Sequence, residues 1–316
     1  MAIKSYKGFD KNLRCRGFQY KIGGIYEMDG KIKMRNRGFH ACESPFDVFD
    51  YYTMIDSRFC EVEQDGNISK WDRGTKICSS KIKIKAELKL ADMINLGVEW
   101  LKEITSPEKI KTSIKDNSSG NYAKIGSSGD EAQIGSSGYG AKIGSSGHGA
   151  QIGSSGNNAQ IGSSGYGAKI GSSGYGAKIG SSGNDAKIGS SGNDAKIGSS
   201  GNDAQIGSSG NNAQIGSSGD GAKIGSSSDG AKISSSGYGA KIDSTGEDCV
   251  IMCAGINSVA KASKGSWVTL SEWSYSEEKQ RYIPICVKTE FVDGEKIKAD
   301  TYYSLKGGVF VEWIND

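Results

Sequence analysis

From Ile125 to Ile242 isoleucine recurs every nine residues without a gap, giving fourteen copies of the unit A-[K/Q]-I-G-S-S-G-x-x. A strict short period of this kind is the signature of a solenoid, in which each copy is too small to bury its apolar face alone and must stack on its neighbours. Alanine holds the first position from Ala123 to Ala240, and only Lys or Gln fills the second. The in-out-in alternation of Ala, Lys/Gln and Ile predicts a three-residue strand with Ala and Ile inward. The small residues that follow end in Gly, as a tight corner needs. The last position is Gly, Asn or Asp in every copy except Glu131. Those residues tolerate positive φ, so Gly140, Asn158, Asp185, Asp194, Asp203 and Gly239 are read as choices of backbone geometry.

Two nonapeptides per coil is the expected winding, with a triangular coil of three copies or a trimer of wound chains as alternatives. Fourteen copies then make seven coils, roughly 34 Å long at about 4.8 Å per coil. An 18-residue coil places Lys124, Lys142, Gln160, Lys178, Lys196, Gln214 and Lys232 in one column. Gln133, Gln151, Lys169, Lys187, Gln205, Lys223 and Lys241 fall in a second. The candidate interaction surface is therefore Lys124, Lys142, Lys169, Lys178, Lys187 and Lys196, together with the corner residues Tyr139, Tyr166, Tyr175 and Tyr238. A solubilising face is the competing reading of the same lysines.

Composition narrows the chemistry. The chain carries 39 Lys and Arg against 36 Asp and Glu, a formal charge of +3, and acids such as Asp185, Asp194, Asp203 and Asp220 lie beside the lysines. This balance argues against nucleic-acid binding along the solenoid. The unit echoes a calcium-binding nonapeptide, with Gly180 to Ile188 in register, but its acidic position is Gly in about half of the copies. Hard-cation coordination needs carboxylates at each site, so no metal is expected. Seven scattered cysteines contain no C-x-x-C pair in the first hundred residues, which also argues against zinc there. No apolar run reaches membrane-spanning length and the N-terminus lacks a signal-peptide core, so a cytoplasmic chain with free thiols and no membrane contact is expected.

The domain reading is an α+β N-terminal domain (1–104), a linker or cap at the start of the solenoid (105–120), the solenoid (121–248), and a cap with a small antiparallel β module (249–316). The fold class is thus mainly β. In the first part, Lys81–Leu90 alternates as a strand with Ile82, Ile84, Ala86, Leu88 and Leu90 on one face. Ser44-Pro45-Phe46-Asp47 reads as a helix start that buries Phe46, Phe49 and Tyr52. A helix from about Asp92 to Ile104 turns Met93, Val98, Leu101 and Ile104 inward. After Ile242 the repeat decays, and larger residues predict a widening cap. Four or five strands follow from Gly265, with a turn at Val292-Asp293-Gly294.

Cys15-Arg16-Gly17-Phe18-Gln19-Tyr20, Gly38-Phe39-His40-Ala41-Cys42 and Asp47-Val48-Phe49 resemble an N-terminal domain of uncharacterised function found in bacteriophage and prophage genes. Its members often carry small-residue nonapeptide arrays, and their tails resemble the segment Val292–Tyr303. The resemblance implies a phage-related source and a three-part architecture, and it implies no activity. Isoleucine at the inward position departs from relatives, which often have smaller residues there. Arg16-Gly17 followed by Gly38-Phe39-His40 also echoes the order of dinucleotide contacts in ADP-ribosyltransferases, and His40 and Arg16 are the candidate catalytic residues of that reading. Pairing of His40 with Cys42, Cys15 or Cys60 is a further possibility. His148, at a variable corner, is read as a solvent residue.

Three functions follow as expectations. The first is a non-enzymatic interaction protein of phage or prophage origin that binds a bacterial host protein, such as a defence or restriction component, in the host cytoplasm and without a cofactor. The second is an ADP-ribosyltransferase-like enzyme in the N-terminal domain. The third is a fibre or decoration component of the virion. Monomer, dimer and trimer all remain open.

Overall fold

The computed structural model describes residues 2–71, 75–104 and 120–314. The chain divides into two compact units, Met1–Trp100 and Leu101–Asp316. Their boundary falls four residues before the one expected at 104, inside a helix. The expected linker at 105–120 lies almost wholly outside the described residues.

The first unit is built on seven strands: β1 (Ile3–Phe9), β2 (Arg14–Cys15), β3 (Phe18–Gln19), β4 (Ile25–Glu27), β5 (Phe39–Cys42), β6 (Arg58–Lys70) and β7 (Lys76–Leu88). Five of them form an antiparallel sheet in the order β4-β7-β5-β1-β6, and β7 also pairs with β6. The pairings therefore close on themselves around Phe9, Phe39, Val62, Ile82 and Ile84. In β7 the expected alternation holds for Ile82 and Ile84, which are fully buried, and then fails. A bulge opposite Glu61/Val62 shifts the register, leaving Ala86 exposed and Leu88 half-buried. Leu90 already belongs to the helix α1 (Leu90–Ile104), which buries Met93, Ile94, Val98 and Leu101. The Ile104 side chain is outside the described residues. The helix expected after Ser44 is a single 3-10 segment, Phe46–Asp50. Ser44 Oγ accepts the Asp47 N–H at 3.4 Å, and Phe46 and Phe49 are buried while Tyr52 is half-buried.

The second unit is the solenoid, and its winding is two nonapeptides per coil. Lys142 pairs with Lys124 and with Gln160, each eighteen residues away, and Gln151 with Gln133 and Lys169. Two parallel sheets result, each a ladder of four-residue strands, one running from Lys124–Ser127 and the other from Gln133–Ser136. Both expected columns are present in register. The strand itself is offset from the sequence expectation. It reads Lys/Gln-Ile-Gly-Ser, with Ala just before it, because Gly and the first Ser continue the alternation instead of starting the corner. Ala, Ile and that Ser all point inward, so the interior is layered by Ala and Ile with a column of Ser beside them.

The inward serines show what the interior requires. Among the described residues, hydroxyls such as Ser145, Ser163, Ser181 and Ser199 Oγ are buried with no hydrogen-bond partner. At the end of the same column Ser235 is followed by Cys253 and then Leu270, and in the other sheet Ser244 is followed by Ala262. Within the ladder the position takes small volume and does not need a hydroxyl, and Leu270 enters it at the last rung, where the C-terminal strands close the core.

The repeat decays in sequence after Ile242 but not in structure. Val250–Cys253 and Val259–Ala262 extend the two ladders in parallel register, and Trp267–Leu270 adds one more rung. The result is about eight turns over residues 124–270. Trp267–Ser276 then runs on into an antiparallel hairpin with Arg281–Phe291, and Tyr303–Lys306 with Val309–Glu312 caps the second sheet. Val292, Ile297, Tyr303 and Leu305 close the core at this end. The expected widening is thus an antiparallel closure of both sheets, with Asp293 Oδ1 accepting the Glu295 and Ile297 N–H groups at the turn. All seven cysteines are free thiols. No helix among the described residues is long and apolar enough to cross a membrane.

The two glycines of the repeat have different causes. At the corner, a Cβ on Gly183 would fall on the carbonyl oxygen of Gly165 in the preceding coil, well inside contact distance. On the strand, a Cβ on Gly180 would meet nothing within 4 Å. Thermal unfolding should therefore show Gly183→Ala destabilised by about 2 kcal/mol or more through overpacking. Gly180→Val should be neutral, or more stable by up to roughly 1 kcal/mol as strand propensity improves. Equal losses at the two positions would contradict this assignment.

Candidate functional site

The residues of the first unit that carry chemistry converge on one cavity of about 1090 Å³. β1 contributes Lys7, the β2–β3 hairpin contributes Cys15, Arg16 and Phe18, and β5 contributes His40 and Cys42. Tyr20, Tyr26, Arg35, Tyr51, Tyr52 and Lys76 complete the walls. Arg16 and His40, singled out from sequence, do come together here. Cys15 and Cys42 line the same space, whereas Cys60 is fully buried in the core.

One wall is aromatic. Phe18, Tyr20 and Tyr26 form a triangle of edge-on rings with centroids 4.8, 5.5 and 5.0 Å apart. Phe18 remains half exposed at the rim, so an apolar ring face is open to a ligand. The charged groups of the lining are mostly cationic. Lys7, Arg16, Arg35, Arg37 and Lys76 line the cavity, and among the described lining residues Glu27 is the one carboxylate. Glu27 is itself paired with Lys81 at 3.2 Å. The Lys76 ammonium, 3.8 Å from the Tyr51 ring centre, is held below its usual range by burial, an effect the Cys42 thiol opposes and Arg35, Arg16 and Lys7 reinforce. Like charges crowded in a poorly hydrated space favour an incoming anion.

His40 does not fit an acid–base role. Its Nε2 accepts the Arg35 backbone N–H at 3.0 Å. Burial, and after it Lys76 and Lys7, bring its pKa down to about 4, against a hydrogen bond to the Gly38 backbone that raises it. A neutral ring with its acceptor nitrogen occupied positions the Arg35 loop instead of moving protons. Cys42 is equally unsuited to nucleophilic work, since burial first and Asp47 second push its thiol up to about 12. Sequence reading missed Lys7, Tyr52 and Lys76. β1 is buried along most of its length, so no alternation marks Lys7 as special, and Lys76 reaches the cavity only through strand pairing.

The solenoid candidates separate into several surfaces. Lys124, Lys142, Lys178 and Lys196 stand exposed in one column on the outer face of the first sheet. Beside them Gly126, Gly144, Gly162, Gly180 and Gly198 form a stripe of bare backbone. Together they make a shallow trough that ends on the exposed side chains of Val250 and Met252. Lys169 and Lys187 belong to the second sheet, where Lys169 is half-buried and Lys187 buried. Tyr139 and Tyr175 follow strands of the second sheet and Tyr166 and Tyr238 follow strands of the first, so the four do not share one edge. Tyr139 and Tyr238 are tied down by hydrogen bonds from Asn158 and Asn257 of the next coil, both at 2.9 Å. His148 is exposed at its corner, as expected, and its N–H is held by Asp130 at 2.8 Å. Among the described residues no cluster of His, Cys, Asp and Glu is arranged to hold a metal ion.

The low pKa of His40 has a measurable sign. The unfolded imidazole takes up a proton near pH 6.5 and the folded one only near pH 4. Acidification through this window therefore favours unfolding, and the stability His40 contributes is present above pH 6.5 and gone below pH 4. The His40 ring resonances should titrate near pH 4 by NMR, and His40→Gln should flatten the stability loss of the domain between pH 6.5 and 4. A midpoint near 6.5 would show that the ring is not buried among these cations.

No curated protein and no solved structure matches the chain. Residues 3–96, which hold the whole cavity, match the family model of a domain of unknown function, DUF7666.

Proposed function

We propose that the N-terminal domain is a binding module for a small anionic ligand that carries a ring, of the nicotinamide-dinucleotide class, and that it is not an acid–base enzyme. The observation that carries this reading is the cluster of Lys7, Arg16, Arg35 and Lys76 in a cavity whose described lining holds one carboxylate, Glu27, and an aromatic wall. A pyrophosphate would neutralise the cations, and a base or nicotinamide ring would stack at Phe18. Histidine chemistry is not needed for binding, and the neutral, occupied His40 argues against the transferase form of the dinucleotide reading. Calorimetric titration with NAD+ and ADP-ribose should give saturable binding that weakens with salt, and Arg16→Ala should weaken it at least about tenfold. Absence of saturable binding of either compound to the folded protein would refute the assignment.

The solenoid supports a second role, docking to a partner protein. Glycine costs strand stability of about 0.5–1 kcal/mol per position, yet it fills consecutive outward positions where nothing requires it. A bare stripe beside a lysine column lets a flat, acidic protein surface approach the backbone closely. In this reading the chain is a phage- or prophage-derived protein whose partner is a bacterial host protein in the cytoplasm. The triple variant Gly162→Thr/Gly180→Thr/Gly198→Thr should fold at least as stably as the parent. It should also lose a host partner that the parent retains in affinity capture. Retention of that partner by the triple variant would remove the stripe from the interface.

A further inference from the structure

The cavity holds a second group of residues that ligand binding does not explain. Cys15 Sγ accepts hydrogen bonds from Lys7 Nζ at 3.4 Å and from Tyr52 Oη at 3.0 Å. Tyr52 stays a protonated donor, its pKa raised by burial and then by this same bond. Lys7 is only 5% exposed. Its other contacts are the His40 carbonyl at 3.0 Å and the rings of Phe9 and Tyr20, with centroids 5.3 and 5.8 Å from the ammonium. It forms no ion pair with a carboxylate among the described residues. A buried ammonium without a carboxylate is costly and seeks negative charge. Independently of the sulfur, it marks this end of the cavity as a place for an anion.

Accessibility distinguishes Cys15 from the other thiols. Cys42, Cys60, Cys78, Cys249 and Cys253 are buried, and only Cys15 and Cys286 are partly exposed. Burial pushes Cys60 and Cys253 up to about 12, as it does Cys42. Cys15 alone combines access from a cavity, two donors on its sulfur and a cationic approach path. Reactive cysteines sit in partly exposed, electropositive surroundings of this kind.

We propose that Cys15 is a thiolation site, modified by low-molecular-weight disulfides that carry carboxylates. Its sulfur attacks one sulfur of the disulfide, a new Cys15–sulfur bond forms and the original sulfur–sulfur bond breaks. The departing thiolate takes up the proton that Cys15 gives up, so one small disulfide is reduced to one free thiol and one mixed disulfide as Cys15 is oxidised. Lys7 steadies the attacking sulfur, and Arg16 and Lys76 hold the carboxylates of the incoming molecule. The inference shares the cavity with the dinucleotide reading but does not depend on which ligand binds there.

The test uses the full chain with oxidised glutathione as the anionic probe and cystamine as the cationic one, followed by intact mass and peptide mapping. The expected result is a single early adduct on Cys15, forming at least about tenfold faster with oxidised glutathione than with cystamine, with the difference shrinking at high salt. Cys15→Ser should abolish that adduct, and Lys7→Met should slow it several-fold. Should Lys7→Met fail to fold, the charge preference and its salt dependence in the parent chain carry the same information. First modification at Cys286, equal rates with the two disulfides, or reaction only after denaturation would each overturn the assignment. An adduct on Cys15 in a chain that does not bind NAD+ would uphold the thiolation site and refute the dinucleotide reading alone.

Discussion

Everything in the second unit depends on backbone N–H groups of one coil reaching carbonyls of the coil below. Lys142 N–H donates to Ala123, Gln160 to Ala141, and the same bond recurs up both sheets at 2.8–2.9 Å. The corners are stitched in the opposite sense, Gly149 donating to Tyr166 and Asp185 to Asn202 of the following coil. Stacking at this spacing leaves no room for a side chain at the corner glycine and forces positive φ at the ninth residue. Glu131, Asn158, Asp185, Asp194 and Asp203 all adopt φ near 55°. Asn and Asp at the eighth position add to the ladder by accepting an N–H from the next coil, as Asn157 does from Tyr175 and Asp220 from Tyr238. These residues are therefore occupied with holding corners, and little of the corner chemistry is free for ligands.

The one exception to the corner rule shows how the ladder tolerates strain. Ser228 replaces the corner glycine in a single copy, is fully buried, and donates its hydroxyl to Ser208 at 3.2 Å. Its own N–H is satisfied by Ser226 Oγ at 3.2 Å. The small side chain is accommodated at this corner with its hydroxyl bonded to an inward serine of the preceding coil. The same economy explains the interior: Ala, Ile and Ser fit between two closely packed sheets, and larger residues such as Leu270 and Tyr303 appear only where the C-terminal strands close the end.

The two units divide the chemistry between them. The solenoid offers repeated, shallow features whose strength lies in number: an exposed lysine column, a stripe of bare backbone, and an apolar terminus at Val250 and Met252. The N-terminal domain offers a cavity in which cations, rings and a thiol meet. Affinity for a small molecule requires burial and convergent polar groups, which only the second arrangement supplies. A large flat partner requires the first.

How much of this was legible in the sequence follows from the range of the interactions. Coil length, column membership and the ninth-position rule were readable because they repeat, and a local rule seen fourteen times becomes a structural one. The strand offset was misread, since A-K-I and K-I-G-S alternate equally well and only stacking decides between them. The bulge in β7 that turns Ala86 outward, and the continuation of the ladder past Ile242 on unrelated residues, were set by tertiary pairing alone. Arg16 and His40 could be nominated from their motifs, but their roles could not. Tertiary structure placed Lys7, Tyr52 and Lys76 around them by joining β1, β5 and β7, and it occupied the His40 nitrogen with the Arg35 backbone. Short-range periodicity is written in the order of residues, whereas the charge and access of a cavity depend on which distant strands become neighbours.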